Sequence, residues 1–381
     1  MGGMSKSKNN GGRKLSKKIR VGILCGGKSA EHEVSLQSAK SIVEAIDRKT
    51  YDVVMIAVDK DGQWHLTDTS KFLLNADNPK LIQLNKVSDN LALAPGKRSD
   101  QLISLVSHGS AAPVDVVFPV LHGPFGEDGT LQGLMKLANL PFVGPGVLGS
   151  AVSMDKDVAK RLLRDAGLAI ARFLVFDRSS LNKIDFNETK NELGVPLFIK
   201  PANLGSSVGI NKVNDRGQFE AAVNEAFKYD NKIVIEEFIE GREIECSVLG
   251  NEDAIASLPG EILPQDDFYS YRAKYIDEDG ALLDIPAKLP EKLVKEVQEC
   301  AIQAFKVLCC EGMARVDLFL KDNGEIVINE INTLPGFTKI SMYPKLWEAS
   351  GISYPELIHR LIQLAIERFD REETLETSVH I

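Results

Sequence analysis

The sequence predicts an α/β protein of more than one domain, in which an open and mainly parallel sheet carries helices on its faces. Three observations support this class. The 381 residues exceed the size of one ordinary domain. Strand and helix patterns alternate through the first third of the chain. The glycine and proline content rises near residues 144–149, where we expect a domain boundary.

The first predicted elements are the strand "IRVGIL", which begins at Ile19, and a helix after the turn "CGGKSAE". The helix is predicted because apolar side chains recur at helical spacing from Val34 to Ile46. "YDVVMIAV" and "VDVVFPV" are predicted as further strands, followed by a helix over 129–139. Ligands of such sheets bind beyond the carboxyl ends of the strands. The loops "GGKSAE" and "LHGPFGEDG" are therefore candidate binding loops.

Beyond the boundary, Ser153 is predicted to cap a helix that ends at Gly167. "VPLFIKPANLGSSVGINKV" predicts two strands around a Gly/Ser loop, and a helix over 217–229 precedes the strand "KIVIEEFIEG". The strand "REIECSVLG" and a helix over about 290–309 flank a polar loop. This loop, 264–280, is long and rich in aromatic residues, which predicts a lid. Helices close the chain.

A hairpin is predicted in "VDLFLKDNGEIVINEIN", with a type I′ turn at Asn323-Gly324. Folding the chain at this turn places Asp317 opposite Glu330 and Arg315 opposite Asn332, all on one face. Facing carboxylates destabilise a sheet unless a cation lies between them, and Mg²⁺ bound together with a phosphate suits such oxygen ligands. The alternative is a solvated edge hairpin. Burial is favoured because Ile326 and Ile328 are expected on the same face.

Two segments are candidate phosphate loops. "GILCGGKS" at 22–29 matches the P-loop pattern around Lys28. A P-loop requires the strand to end where the motif begins, whereas the strand is expected to continue here, so we favour a chance match. In "IKPANLGSSVG", Lys200 precedes small residues that let backbone N–H groups approach a phosphate. Alone this is a flexible hairpin loop, but its position ahead of the acidic hairpin favours phosphate binding.

Composition excludes several partners. The net charge of −9 makes a general nucleic-acid or anionic-membrane surface improbable. Five cysteines without framework spacing indicate a reducing compartment. No stretch is long and apolar enough to span a bilayer. Residues 1–17 are polar and basic and are expected to be a disordered tail. We therefore expect a cytoplasmic protein.

The motifs, in their order along the chain, resemble those of ATP-grasp ligases, and specifically of the D-alanine–D-alanine ligase family. They are "GGKSAEHEVSLQSA", "LHGPFGEDGTLQG", "SMDKDVAKRLL", "KPANLGSSVG", "YRAKY", "ARVDLFL" and "NEINTLPGFTKISMYPKLW", and the match runs from about Ile19 to Phe369. The resemblance implies a substrate-binding α/β domain with an open parallel sheet over 18–145. It also implies two α+β domains that enclose ATP: a central domain over 146–236, and a C-terminal metal domain over 237–381 that carries the lid 264–280.

The resemblance further implies a nucleotide and metal site. Lys156 and Lys200 would contact the phosphates, the backbone and apolar groups of 236–239 would hold adenine, and Glu243 would bind the ribose. The implied nucleotide residues are Lys156, Lys200, Ser206, Ser207, Glu236, Glu237, Phe238, Ile239, Glu243, Lys274, Phe319 and Asn329. The implied ligands of two Mg²⁺ ions, for which Mn²⁺ can substitute, are Asp317, Glu330 and Asn332.

The implied activity is ligation of two D-alanine molecules through a D-alanyl phosphate, for peptidoglycan synthesis by a homodimer. Glu31 would bind the first substrate's ammonium group in a hydrogen-bonded chain with Ser206 and Tyr275, and Arg315 would stabilise the oxyanion. The other implied substrate residues are His122, Gly336, Ser341 and Met342. For His122 the alternative is a surface loop histidine.

Three other functions stay open. A D-alanine–D-lactate ligase has the same fold with a hydroxyl acceptor, although Tyr275 favours an amine. A P-loop hydrolase or kinase would use Lys28. A non-catalytic nucleotide-binding protein is disfavoured by the complete set of charged hairpin residues.

Overall fold

The computed structural model describes residues 18–76, 78, 81–85, 89–96, 100–205, 208–264 and 281–376. Several predictions lie outside these ranges: the disordered tail 1–17, the loop residues Ser206 and Ser207, and nearly all of the lid, with Lys274 and Tyr275. Within the described ranges, no helix has the length and apolar character needed to cross a membrane.

The first part of the chain forms a six-stranded sheet in the order β7-β6-β3-β2-β1-β8. β1 pairs in parallel with β2 and β8, as predicted. β3, β6 and β7 extend the sheet antiparallel and were not predicted, because each is only three to five residues long. The elements are β1 (Ile19–Gly26), α1 (His32–Ala45), β2 (Tyr51–Val58), β3 (Trp64–Thr67), β4 (Leu73–Leu74), β5 (Gln83–Leu84), β6 (Asp89–Leu93), β7 (Leu102–Ser104), β8 (Val116–Pro119) and α2 (Thr130–Leu137).

Strand β1 runs through most of the P-loop-like motif at 22–29. It ends at Gly26, four residues after the motif begins, so the motif is a strand followed by a turn. The turn depends on glycine. Gly26 has φ +94°, and a Cβ there would lie 2.1 Å from the Val58 carbonyl oxygen. The prediction that the strand continues into the motif is thus confirmed, and it favours a chance match at Lys28.

A four-stranded antiparallel sheet follows, in the order β11-β10-β12-β9. The helix after the boundary begins differently from its prediction. Ser153 lies inside α3, and the cap of α4 is Asp155, whose carboxylate accepts from the backbone N–H groups of Asp157 and Val158. The elements are α3 (Val147–Met154), α4 (Lys156–Asp165), β9 (Phe173–Asp177), a short 3₁₀ helix (Arg178–Lys183), α5 (Phe186–Leu193), β10 (Leu197–Pro201), β11 (Asn211–Val213), α6 (Arg216–Ala226) and β12 (Lys232–Glu237).

The last part of the chain forms a second antiparallel sheet in the order β16-β15-β13-β17-β18, with β14 paired to β13. The predicted long helix and the closing helices are present. The elements are β13 (Arg242–Gly250), β14 (Ile255–Ala256), β15 (Gly260–Pro264), β16 (Ala281–Asp284), α7 (Glu291–Val307), β17 (Gly312–Leu320), β18 (Ile326–Asn332), α8 (Met342–Ala349) and α9 (Tyr354–Glu373).

The largest hydrophobic core joins the first and last parts of the chain. Ile23 and Phe118 of the parallel strands belong to the same buried cluster as Phe337 and Trp347, and the Phe118 and Phe337 rings meet edge to face at 5.6 Å. The four-stranded sheet has a separate core, formed with α5 and α6. The two antiparallel sheets that face each other are therefore packed on separate hydrophobic cores.

Candidate functional site

A cavity of about 250 Å³ lies between the two antiparallel sheets. Both sheets contribute charged side chains to the cavity, and apolar side chains line the rest of its wall. Its lining includes residues that the resemblance assigned to the nucleotide or the metal: Lys200, Glu236, Glu237, Phe238, Ile239, Glu243, Asp317, Phe319, Asn329 and Glu330.

The hairpin β17–β18 forms one wall of the cavity. Asp317 pairs with Glu330 and Arg315 pairs with Asn332, so the predicted register is confirmed at these positions. The turn differs from its prediction. Gly324 has φ +84° and donates to the Lys321 carbonyl oxygen at 2.9 Å, whereas Asn323 does not share the positive φ that a type I′ turn requires. The loop therefore has three residues rather than two.

A β-bulge corrects the register before the carboxylates are reached. Leu318 pairs with Ile328 while Asp317 pairs with Glu330, so Asn329 is the extra residue. The bulge also reverses the faces. Ile328 packs in the core with Leu318, and the expectation that Ile326 and Ile328 share a face with Glu330 is wrong. Asn329 is left in the cavity wall, with its Oδ1 3.4 Å from Lys200 Nζ.

The carboxylate of Asp317 is held by its neighbours on this face. Arg315 Nε and Nη2 each donate to it at 2.7 Å, and Asn332 Nδ2 donates at 2.9 Å. Arg315 Nε also lies 2.8 Å from Glu245 Oε2. The opposed carboxylates of Asp317 and Glu330, with the amide oxygen of Asn332, fit the oxygen-donor chemistry of Mg²⁺. Within the described ranges, no group of three His, Cys, Asp or Glu residues could hold a metal.

Three lysines lie opposite the hairpin. Lys156 Nζ donates to the Leu204 carbonyl oxygen at 2.7 Å and is 3.8 Å from Glu330 Oε2. Glu236 lies between the other two, with Oε2 2.8 Å from Lys200 Nζ and Oε1 3.3 Å from Lys160 Nζ. Burial opposes the charge of Glu236, but the two lysines outweigh it and lower its pKa to about 2. Its side chain is thus paired with two lysines.

Sequence reasoning missed Lys160, although its spacing of four residues from Lys156 places both on one face of α4. It also missed Glu127 in the loop after β8. Glu127 Oε2 accepts from Gly123 N–H at 2.7 Å and Oε1 accepts from Leu334 N–H at 3.0 Å. Burial, with the nearby charge of Glu31, raises the pKa of Glu127 to about 8. No sequence signal predicts a contact with a residue as distant as Leu334.

Glu31 lies where the two binding loops meet. It is 6% exposed, and its Oε2 is 2.6 Å from the point where a Cβ on Gly123 would lie and 3.4 Å from that point on Gly205. A side chain at Gly123 would displace this carboxylate. Glu31 is therefore adjacent to the start of the Gly/Ser loop, whose next residue is Ser206.

His122 is a buried link and not a surface loop histidine, so that alternative is wrong. It is 4% exposed, its Nδ1 lies 2.9 Å from the Leu334 carbonyl oxygen, and its Nε2 lies 3.2 Å from Ser38 Oγ. Burial lowers the pKa of His122, against the opposing effects of Glu31 and of the Leu334 carbonyl. The neutral ring donates from Nδ1 and accepts at Nε2, which ties α1 to the loop after β18.

A second cavity, of about 60 Å³, adjoins the first and shares Glu245 and Ile262 with it. Four residues that the resemblance assigned to the substrates lie in its wall, so Arg315 reaches from the hairpin toward the loop that precedes α8. These residues are Arg315, Gly336, Ser341 and Met342.

Two antiparallel sheets around a polar cleft, with lysines on one wall and paired carboxylates on the other, define an ATP-grasp ligase. Family models described as "D-ala D-ala ligase N-terminus" and "D-ala D-ala ligase C-terminus" match residues 20–145 and 162–363. Together they cover most of the chain. The chain therefore belongs to the D-alanine–D-alanine ligase family.

Relatives match over nearly their whole length. A protein of Shouchella clausii named D-alanine–D-alanine ligase is 63% identical over 95% of this chain and 98% of its own. D-alanine–D-alanine ligase A of Escherichia coli K12 is 56% identical over 95% and 100%. Among solved structures, the D-alanine–D-alanine ligase of Coxiella burnetii has a TM-score of 0.81 at 40% identity, covering 93% of this chain and 96% of its own. The D-Ala:D-Ser ligase of Enterococcus faecalis has the same TM-score at 36% identity, covering 92% and 100%.

Proposed function

We propose that this chain is an ATP-dependent ligase that joins two D-alanine molecules to D-alanyl-D-alanine, as a step in peptidoglycan precursor synthesis. The observation that carries the proposal is the cleft of about 250 Å³, which is lined by Lys200 from one sheet and by the Asp317–Glu330 pair from the other. The identities of 55–63% to relatives named D-alanine–D-alanine ligase support the substrate.

The proposed reaction has two displacements. The carboxylate of the first D-alanine attacks the γ-phosphorus of ATP, whose bond to the bridging oxygen breaks, so that D-alanyl phosphate forms and ADP leaves. The amine of the second D-alanine, having lost a proton, then attacks the acyl carbon, and inorganic phosphate leaves. Positioning and charge neutralisation dominate the first displacement. Lys156 and Lys200 supply positive charge on one wall, and Glu31 orients the first substrate's ammonium group.

The second displacement develops negative charge on the acyl oxygen. Arg315 is suited to stabilise it, because its guanidinium lines the second cavity and is held in place by Asp317 and Glu245. Ser206 and Tyr275 extend the hydrogen-bonded chain from Glu31 in this proposal. His122, Gly336, Ser341 and Met342 shape the binding sites of the two amino acids.

The divalent cation is proposed at Asp317, Glu330 and Asn332. When bound, it neutralises phosphate charge beside Lys200. Two Mg²⁺ ions, with Mn²⁺ as a substitute, are the proposed complement. We propose the nucleotide-binding residues that the resemblance implies, including Ser207, Lys274, Glu243, Phe319 and Asn329. We also propose that the protein is a cytoplasmic homodimer. The proposed division of the chain is a tail over 1–17 followed by domains over 18–145, 146–236 and 237–381.

The acceptor needs its own test, since a relative of known structure is titled a D-Ala:D-Ser ligase. ATP hydrolysis should be measured with single D- and L-amino acids, and the product identified by mass spectrometry. D-alanine alone should support turnover and yield the dipeptide, whereas L-alanine should not. When D-alanine competes with D-serine or D-lactate, the dipeptide D-alanyl-D-alanine should predominate. A mainly ester product would establish the D-lactate alternative instead.

Nucleotide titration separates this function from that of a P-loop enzyme. Lys200→Ala should weaken ATP binding by about tenfold or more, because a charge-assisted phosphate contact contributes about 1.5–3 kcal/mol. Lys28→Ala should leave ATP binding unchanged, because Lys28 follows a strand that ends in a tight turn. The reverse ranking would contradict the assignment of the cleft.

A further inference from the structure

A buried cluster of two lysines and one glutamate forms part of the nucleotide cleft. Helix α4 contributes Lys160, β10 contributes Lys200 and β12 contributes Glu236. The two oxygens of Glu236 are divided between the lysines: Oε2 lies 2.8 Å from Lys200 Nζ, and Oε1 lies 3.3 Å from Lys160 Nζ. One carboxylate thus meets two ammonium groups, so the cluster itself has one more positive than negative charge.

Lys160 is the more costly member of the cluster. It is 2% exposed. Its Nζ lies 3.3 Å from Glu236 Oε1, an ion pair that is long for a hydrogen bond, and neither atom has another hydrogen-bond partner among the described residues. Burial lowers the pKa of Lys160, as does Lys200, against the attraction of Glu236. A buried ammonium group with a single ionic partner loses more hydration than it regains in hydrogen bonds, which destabilises a fold. Its presence beside the cleft therefore points to a role for its charge.

That charge acts on Lys200 through Glu236. Lys200 Nζ has a second contact with Asn329 Oδ1, at 3.4 Å, on the opposite wall of the cleft. If Glu236 faced Lys200 alone, the full negative charge would hold the lysine to β12 and oppose its contact with an incoming phosphate. Because Lys160 lies against the other oxygen, that charge is divided between two cations.

We infer that Lys160 is a positioning residue for the nucleotide triphosphate: it shares Glu236 with Lys200 and so leaves Lys200 available to the phosphates. The inference rests on the proposed function only in that the cleft takes a nucleotide. It does not depend on which amino acids are ligated.

The test is calorimetric titration of the whole protein with Mg²⁺ and the non-hydrolysable analogue AMP-PNP, and separately with AMP. Lys160→Met keeps the apolar stem and removes the charge. It should weaken AMP-PNP binding by about tenfold and change AMP binding much less, because AMP lacks the phosphates that Lys200 would contact. The matched control is Arg161→Met on the same helix. Arg161 is exposed and pairs with Asp157, so this variant should bind both nucleotides as the wild type does.

A double variant tests whether Glu236 transmits the effect. In Lys160→Met/Glu236→Gln the carboxylate that holds Lys200 is also gone, so AMP-PNP binding should recover relative to Lys160→Met. Equal AMP-PNP affinity in wild type and Lys160→Met would overturn the inference, as would an equal loss of AMP binding, which indicates general damage. A double variant no tighter than Lys160→Met would show that Lys160 does not act through Glu236.

If Lys160→Met does not fold, Lys160→Gln provides the same test with a polar group against Glu236, and the same selective loss of AMP-PNP affinity is expected. The titrations contain no amino acid. A chain that binds AMP-PNP through Lys160 but fails to form a dipeptide would therefore overturn the proposed ligation and leave this inference standing.

Discussion

Arg315 holds both oxygens of Asp317, and this contact determines how the carboxylate pair responds to substitution. The guanidinium lies between Asp317 and Glu245, so two acidic residues already share one cation on this face. Glu330 has a more distant cation, Lys156 Nζ at 3.8 Å.

We expect Glu330→Gln to reduce Mg²⁺-ATP turnover by at least tenfold while the fold persists. Removing one of two facing carboxylates relieves repulsion, so the free energy of unfolding without metal should stay constant or rise by about 0.2–1 kcal/mol. Turnover and urea denaturation check the two parts. Glu325→Gln, at the exposed end of the same hairpin, should alter neither. Normal turnover in Glu330→Gln would remove the basis for placing a cation here.

At the scale of elements, two local differences from prediction cancel in the hairpin. The loop has one residue more than a type I′ turn, and the bulge at Asn329 takes up that residue before Glu330. The sequence therefore predicted the paired carboxylates correctly but assigned the wrong face to Ile328. Alternation of side chains cannot reveal a bulge, because the bulge itself breaks the alternation.

The loop geometry predicts opposite effects for two glycine substitutions. Gly324 has φ +84° with open space around it, so Gly324→Ala should lower the free energy of unfolding by about 1 kcal/mol through backbone strain alone. Gly133 lies within α2, without positive φ and with no heavy atom within 4 Å of an added Cβ. Gly133→Ala should therefore stabilise by up to about 1 kcal/mol. Urea denaturation of both variants measures the signs, and two changes of the same sign would contradict this geometry.

At the scale of the whole molecule, the backbone of Leu334 is held from both sides by one loop of the first sheet. His122 donates to its carbonyl oxygen and Glu127 accepts from its N–H group. Sequence patterns predicted the elements on either side, since these follow from local periodicity. They could not predict this link, because it joins residues that are far apart in the chain and only the folded core brings them together.

The burial of Glu127 predicts how stability depends on pH, because burial and the nearby charge of Glu31 raise its pKa against the opposing hydrogen bonds from Gly123 and Leu334. The folded-state pKa of Glu127 is raised from 4.5 to about 8, so its contribution is present below pH 4.5 and is lost as the pH rises toward 8. Glu127→Gln cannot titrate, so its stability should fall less than that of the wild type across this interval. Chemical denaturation at several pH values measures the difference.

Asp128→Asn is the matched control for this prediction. It alters the neighbouring carboxylate, which accepts from Phe125 N–H and Thr130 N–H within the same loop and does not contact Leu334. This variant should keep the wild-type dependence on pH. Parallel curves for wild type and Glu127→Gln would show that Glu127 is not the titrating group.

The shared core has a mechanical consequence. The parallel sheet and the hairpin sheet are joined by one apolar cluster and by the Leu334 link, so we expect them to move as one rigid body. The four-stranded sheet has its own core, and the residues that flank it, Ala171 and Ile239, pack with Val327 and Phe319 of the hairpin sheet. Its other contacts, such as that of Lys200 with Asn329, are polar. We therefore expect opening for nucleotide exchange to be a rotation of 173–237 relative to this rigid body, about the small apolar cluster. Asp317 and Glu330 would keep their positions in the rigid body, while Lys200 would move with the four-stranded sheet.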